Sequence, residues 1–201
     1  SHVIVSGGAA LQLTGDEEIG RLSSAADGSS TKAAPATIAT AARLITGGIN
    51  ADTTFAGVIE GTGGVTKTGS GRLILASEDA TGNGFLDTSD NSGNTFSDDL
   101  IIKGGTVELR HGEAVGDETA VRVSSGTLLD VKASETIGPL RGAGEVAFDG
   151  SDVRLTLDVD TYDDERAPEG GPLGSNANFS GVLSGPGGLT KTGDGNQLIS
   201  G

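Results

Sequence analysis

Residues 55–75, FAGVIEGTGGVTKTGSGRLIL, are written a second time as residues 179–199, FSGVLSGPGGLTKTGDGNQLI. Phe55 matches Phe179, Gly57 matches Gly181, Gly63-Gly64 match Gly187-Gly188, and Thr66-Lys67-Thr68-Gly69 match Thr190-Lys191-Thr192-Gly193, all at a separation of 124 residues. Working outward, residues 3–22 align with residues 121–140 through Val3/Val121, Val5/Val123, Leu11/Leu129, Ile19/Ile137, Gly20/Gly138 and Leu22/Leu140, at a separation of 118. The copies therefore differ by a small insertion between the two landmarks. Residues 3–120 form one repeat unit and residues 121–201 a truncated second one, within a single segment spanning residues 1–201. Self-similarity over such a period marks a repeat architecture, in which each unit buries its apolar edge against the next.

Composition narrows the choice. The 201 residues include 35 glycines but only 5 prolines, with no three-residue period, which excludes collagen and describes a chain of many tight corners. Val, Ile and Leu fall in short, regularly spaced clusters, the pattern of an all-β body with a thin core. Aromatics make up 3 %, too few for an aromatic-lined groove, whereas stacked aliphatic side chains fill a narrow core without them. A formal charge of −15 repels nucleic acid and anionic lipid. There is no cysteine, so no disulfide holds the fold. No apolar run approaches the ~20 residues of a membrane-spanning helix, and the first residues lack the zones of a signal peptide. We read the chain as a piece of something longer.

Within the quoted stretch the pattern predicts three strands, 54–59, 65–67 and 72–75, with glycines at the corners between them. Strands this short with corners this frequent suit a chain that turns about three times per coil. The expected fold is all-β, a right-handed parallel β-helix with inserted loops, each strand hydrogen-bonding its equivalents one coil away at ~4.8 Å. A coil of roughly 20–25 residues gives about eight or nine coils and a rod on the order of 40 Å. Residues 42–45 and 153–159 read as strands, the latter alternating apolar and polar side chains. Residues 24–41, 77–93 and 160–177 break the pattern and are expected to be loops.

These residues resemble the passenger-associated β-strand repeats of autotransporters, secreted surface proteins of Gram-negative bacteria. The family pattern F-S-G-x-I-x-G-x-G-G-L-T-K-x-G-x-G-x-L-x-L falls on residues 55–75 and 179–199. The continuation N-T-Y-x-G-x-T-x-V-x-x-G-T-L falls on Asn94-Thr95-Phe96 through Gly105-Thr106-Val107-Glu108-Leu109, with Phe96 for the usual Tyr and Asp98-Asp99 for small residues. The resemblance implies a β-helical stalk on the bacterial surface, outside the cell, acting as stalk or adhesin, with a C-terminal β-barrel translocator elsewhere in the full-length chain. It implies no catalytic residues, since the repeat is a structural module in that family.

The most pointed chemical pattern is Asp79, Thr81, Asn83, Asp87 and Asp90, with Gly84 at the sharp turn, close to the spacing of an EF-hand calcium loop. Against calcium stand a threonine at the third position, few carboxylates and flanking strands rather than helices; the alternative is a solvated acidic loop. A second acidic stretch holds Asp163, Asp164 and Glu165, which with Asp98 and Asp99 are candidate binding residues on loop surfaces. Paired carboxylates also serve glycoside hydrolysis, so a polysaccharide-acting enzyme or carbohydrate-binding module on the same scaffold is the alternative function, with an inert spacer as the third. Catalysis lacks its supporting cast. His2 and His111 read as surface residues, Lys67 and Lys191 recur as a structural position, and there is no G-x-S-x-G elbow. The expected partners are a host or neighbouring-cell surface protein or glycan, and further copies of the chain through open strand edges.

Overall fold

The computed structural model describes residues 1–25, 36–76, 93–160 and 177–201. The described residues form 23 strands and no helix, and every strand pairing among them is parallel. Among the described residues no strand pairs with the one that follows it in sequence.

The path of the chain is a rotation through three sheets. It runs from Thr53–Phe55 in a six-stranded sheet to Val58–Gly61 in a four-stranded sheet and Val65–Lys67 in an eight-stranded sheet. It then returns at Arg72–Leu75 to lie beside its starting strand, with Leu73 opposite Thr53. From Glu135–Ile137 onward a three-stranded sheet (with Arg154–Asp158 and Gly188–Thr192) takes the place of the four-stranded one. At the other end, the pair His2–Ser6 and Arg21–Ala25 takes the place of the six-stranded sheet. Between those two regions, residues 111–119 complete a circuit with no strand.

Registration puts like on like. Leu44, Val65, Leu100, Val121 and Leu140 are successive partners in the eight-stranded sheet, all 0 % exposed. Leu73, Val107, Leu129 and Val146 form the matching row in the six-stranded sheet, with Leu75, Leu109, Val131 and Phe148 two residues on. Each such side chain contributes about 1.5–3 kcal/mol by leaving water. With each interior circuit stacked between two others, the thin core is continuous from Val5 to Phe179.

The corners explain the glycines. A Cβ on Gly57 would lie 2.3 Å from the carbonyl oxygen of Ala36 and 2.7 Å from Cζ of Phe55; on Gly181 it would lie 1.9 Å from that of Gly144 and 2.7 Å from Cζ of Phe179. The F-x-G of each copy is thus one device, a phenyl ring laid over a corner too close to the preceding circuit for any side chain.

Several expectations are corrected. The predicted strand 54–59 is two strands, Thr53–Phe55 and Val58–Gly61, split by the corner at Gly57, so the quoted stretch holds four strands rather than three. Strand 42–45 shifts to Leu44–Thr46, because Ala41 and Ala42 make the corner. In the expected loop 24–41, Ser24 and Ala25 end one strand and Thr37–Thr40 is another; residues 26–35 lie outside the described residues. Leu100 to Val121 spans 21 residues, within the expected 20–25, but other circuits are shorter: Val121 to Leu140 spans 19 and Leu128 to Glu145 spans 17.

The two copies do not superpose on the same sheets. Phe55 ends a strand of the six-stranded sheet, but Phe179 ends one of the eight-stranded sheet; Thr66-Lys67 belong to the eight-stranded sheet and Thr190-Lys191 to the three-stranded one. Val3 and Val121 are displaced in the same sense. The sequence repeat is therefore not a whole number of circuits, and equivalent residues of the two copies face different sides.

Leu129→Ala, in the middle of a fully buried row, should lower unfolding stability by about 3 kcal/mol, read as a shift in the denaturant midpoint. An unchanged midpoint would contradict the stacked core.

Candidate functional site

The repeated lysine is structural. Lys67 is 1 % exposed and its Nζ donates to the carbonyl oxygens of Thr68 (2.6 Å), Gly69 (3.0 Å) and Gly104 (3.2 Å). Lys191 repeats the arrangement on Thr192, Gly193 (2.9 Å) and Val159 (3.3 Å). Each T-K-T-G thus folds its lysine back onto its own corner and onto a neighbouring circuit, with the following glycine at positive φ, 66° at Gly69 and 74° at Gly193. Burial lowers the Lys67 pKa, with Asp52 acting in the opposite sense.

Residues 111–119 replace a strand by side-chain hydrogen bonds. The Glu135 carboxylate, 3 % exposed, accepts from the backbone N–H of Val115 (3.0 Å) and Ala114 (3.2 Å). Asn94 accepts from Ile59 N–H (2.6 Å) and donates to Ala114 O (2.8 Å), and Thr119 donates to Phe96 O (2.8 Å). Burial pushes the Glu135 pKa well up, against the two N–H donors, with Glu113 and Asp117 adding to the rise. His111 is not the surface residue expected. Its Nε2 is buried with no partner, its Nδ1 accepts from Glu113 N–H (3.2 Å), and burial holds its pKa down at about 4.

On the outer side of the six-stranded sheet, Glu108 (1 % exposed) accepts from both Arg72 and Arg110, while Asp130 pairs with Lys132 at 3.1 Å, which reaches Asp149 at 3.3 Å. Burial acts to raise the Glu108 pKa, but the hydrogen bonds from Arg110 and Arg72 outweigh it and hold the carboxyl below its ordinary value. These alternating charges fasten neighbouring circuits to one another.

A different arrangement stands where the chain enters the eight-stranded sheet. Arg43, Gly64, Asp99, Ala120 and Pro139 each immediately precede a strand of that sheet. Gly63 and Gly64 let the circuits nest here: a Cβ on Gly63 would lie 1.8 Å from Ala42 O, and one on Gly64 2.7 Å from Asp99 O. Arg43 spans the gap and pairs with Asp98 at 2.7 Å. Asp98 also accepts from Asp99 N–H at 2.8 Å. Beside this pair opens a cavity of about 140 Å³, lined by Thr62, Ser97, Asp98, Asp99, Glu118 and Arg141, with Ala120 and Pro139 as its apolar part. Asp99 is 7 % exposed, so it does not sit on a loop surface as expected. Burial and then Asp98 raise its pKa, and Arg141, Arg43 and Arg122 pull it back without cancelling the rise. A wider depression of about 390 Å³ near Gln12, Thr40 and Glu60 is open.

The structure thus brings Asp98 and Asp99 into one cavity with Glu118 and Arg141, and sets Arg43 against Asp98 beside it; sequence reasoning missed Arg43, Glu118 and Arg141. Asp79, Thr81, Asn83, Asp87 and Asp90, the expected calcium ligands, and Asp163, Asp164 and Glu165 all lie outside the described residues. Among the described residues no three His, Cys, Asp or Glu side chains gather to hold a metal ion. Comparison of the chain with protein-family models, with curated proteins and with solved structures found no match.

His111 gives a pH signature. Its neutral form is favoured in the fold, so the unfolded chain takes up the proton first, and stability falls as pH drops from the ordinary histidine value of about 6.5 to about 4. His111→Gln should remove a loss of roughly 2–3 kcal/mol over that window, measured by denaturant titration at several pH values. Parallel pH curves for both proteins would contradict the assignment.

Proposed function

We propose that this chain is a stretch of an autotransporter passenger, a right-handed parallel β-helix that projects from a bacterial surface and carries recognition groups on its sides. The observation that carries this reading is the rotation of the chain through three parallel sheets, circuit on circuit, beneath a sequence that repeats the F-x-G and G-G-x-T-K-T-G landmarks of those passengers. Right-handedness follows from the strong preference of parallel strand–crossover–strand connections.

Rigidity is what the stack supplies. Interior backbone groups pair with the circuits on either side, and outward side chains change without disturbing the rows inside. The role is to display and to adhere, not to catalyse: the charged groups of the six-stranded face are spent on one another, and the lysines on corner carbonyls. The net charge of −15 directs recognition toward proteins or glycans of a host or neighbouring cell rather than nucleic acid. In this reading the membrane anchor is a translocator barrel elsewhere in the full-length protein, and calcium is a ligand only if residues 79–90 form the loop their spacing suggests.

Binding of the purified chain to immobilised extracellular-matrix proteins and glycans, with and without calcium, tests the adhesive role. Saturable binding that is lost on deletion of residues 77–93 or on substitution at Asp99 supports it. Absence of binding in both conditions assigns the segment to spacing alone.

A further inference from the structure

We propose that the outer face of the four-stranded sheet binds a neutral, extended oligosaccharide, laid along the stack with one sugar to each circuit. The inference rests on the adhesive reading above and deepens it by naming the site and the ligand class.

Register builds the site. Gln12 stands beside Ala39, Ala39 beside Glu60 and Glu60 beside Thr95, one residue from each of the sheet's four strands. The residues next to them, Ile38, Ile59 and Phe96, are buried in the core, so the row itself points outward, with Gln12, Glu60 and Thr95 exposed. Ala39 puts only a methyl group between the longer Gln12 and Glu60 and so makes a dip in the row. The depression of about 390 Å³ opens there. At the corner Gly61 keeps the rim low: its φ is 110°, and a Cβ on it would lie 2.2 Å from Thr40 O, so no side chain stands at that point. Thr62, just beyond, lines both this depression and the cavity beside Asp99.

The lining describes the ligand. Among the described residues that line the depression Glu60 alone is charged, and the rest of its polar side chains are amide and hydroxyl. A carboxylate accepts from two hydroxyls at once, an amide both donates and accepts, and a threonine hydroxyl does the same, which together suit a polyhydroxylated partner. Spacing fits as well as chemistry. Circuits lie ~4.8 Å apart, close to the advance of one pyranose ring in an extended chain, so successive rings meet successive members of the row, and the Ala39 methyl takes the C–H face of one ring. Other ligands match less well. A divalent ion needs about six or more oxygens, a peptide adding as a strand needs a sheet edge rather than a face, and polyanions are repelled by Glu60 and by the net charge of −15.

The test uses three extended neutral probes, cellotetraose, β-mannotetraose and chitotetraose, with tetragalacturonate as the anionic control, followed by amide chemical shifts of the whole chain. At least one neutral probe should give saturable shifts centred on residues 12, 39, 60–62 and 95, with about millimolar affinity that does not change with salt, while tetragalacturonate gives none. Ala39→Arg, which fills the dip, and Glu60→Ala should each weaken that binding about tenfold or more. Thermal melts establish that both variants are folded, and if Ala39→Arg is not, Glu60→Ala alone decides. No saturable shift with any neutral probe up to about 50 mM, shifts centred elsewhere, or binding that survives Glu60→Ala would overturn the site. Saturable sugar binding centred elsewhere leaves the adhesive role standing without this site, whereas loss of all adhesion to the immobilised panel with these shifts intact counts against the adhesive role alone.

Discussion

Everything in this molecule depends on parallel backbone pairing between one circuit and the next. Side chains stack in rows because pairing places Leu100 on Val65 and Val121 on Leu100. Corners hold glycine because pairing at such closeness leaves no volume for a Cβ at Gly57, Gly63 or Gly181. Where pairing fails, at residues 111–119, the structure restores it with side chains, and Glu135, Asn94 and Thr119 take over bonds that a strand would have made. A buried carboxylate is a poor choice for that task unless it replaces lost backbone partners, and two N–H donors are what make Glu135 tolerable.

The fold class was legible because its constraints are local. Phe55 over Gly57, and Lys67 closed onto the carbonyls of its own corner, are written within a few residues, so they recur recognisably as Phe179, Gly181 and Lys191. That locality also concealed something. A corner device works on any face, so the second copy could move to different sheets without changing its sequence, and the true circuit length was hidden beneath the long repeat. The split of 54–59 into two strands was missed for a related reason: Phe55, Val58 and Ile59 read as one apolar run until the Gly57 contact with Ala36 is known.

The candidate site was only half legible. Asp98 and Asp99 stood out as acidic residues where the repeat usually has small ones. Arg43, Glu118 and Arg141 carried no signal, because they join Asp99 only through register, from circuits entered separately. Their distance along the chain is what a stack abolishes. The same register divides the charges into two kinds. Glu108 and Asp130 are matched across the six-stranded sheet and serve cohesion, while Asp99 lines a cavity within the field of Arg141, Arg43 and Arg122.

The register itself is the measurement to make, and the absence of cysteine leaves a clean background for it. Cysteine pairs at 147/184, 178/198 and 156/190 join partners in the six-, eight- and three-stranded sheets respectively. Parallel neighbours lie about 4.8 Å apart, within disulfide reach, whereas a pair slipped by two residues lies beyond ~7 Å. Oxidation should close all three registered pairs in the folded chain and leave slipped controls such as 147/182 open. Closure of the controls as readily as the registered pairs, or failure of the registered pairs in a chain that still melts cooperatively, would contradict the stacking of circuits on which every other conclusion depends.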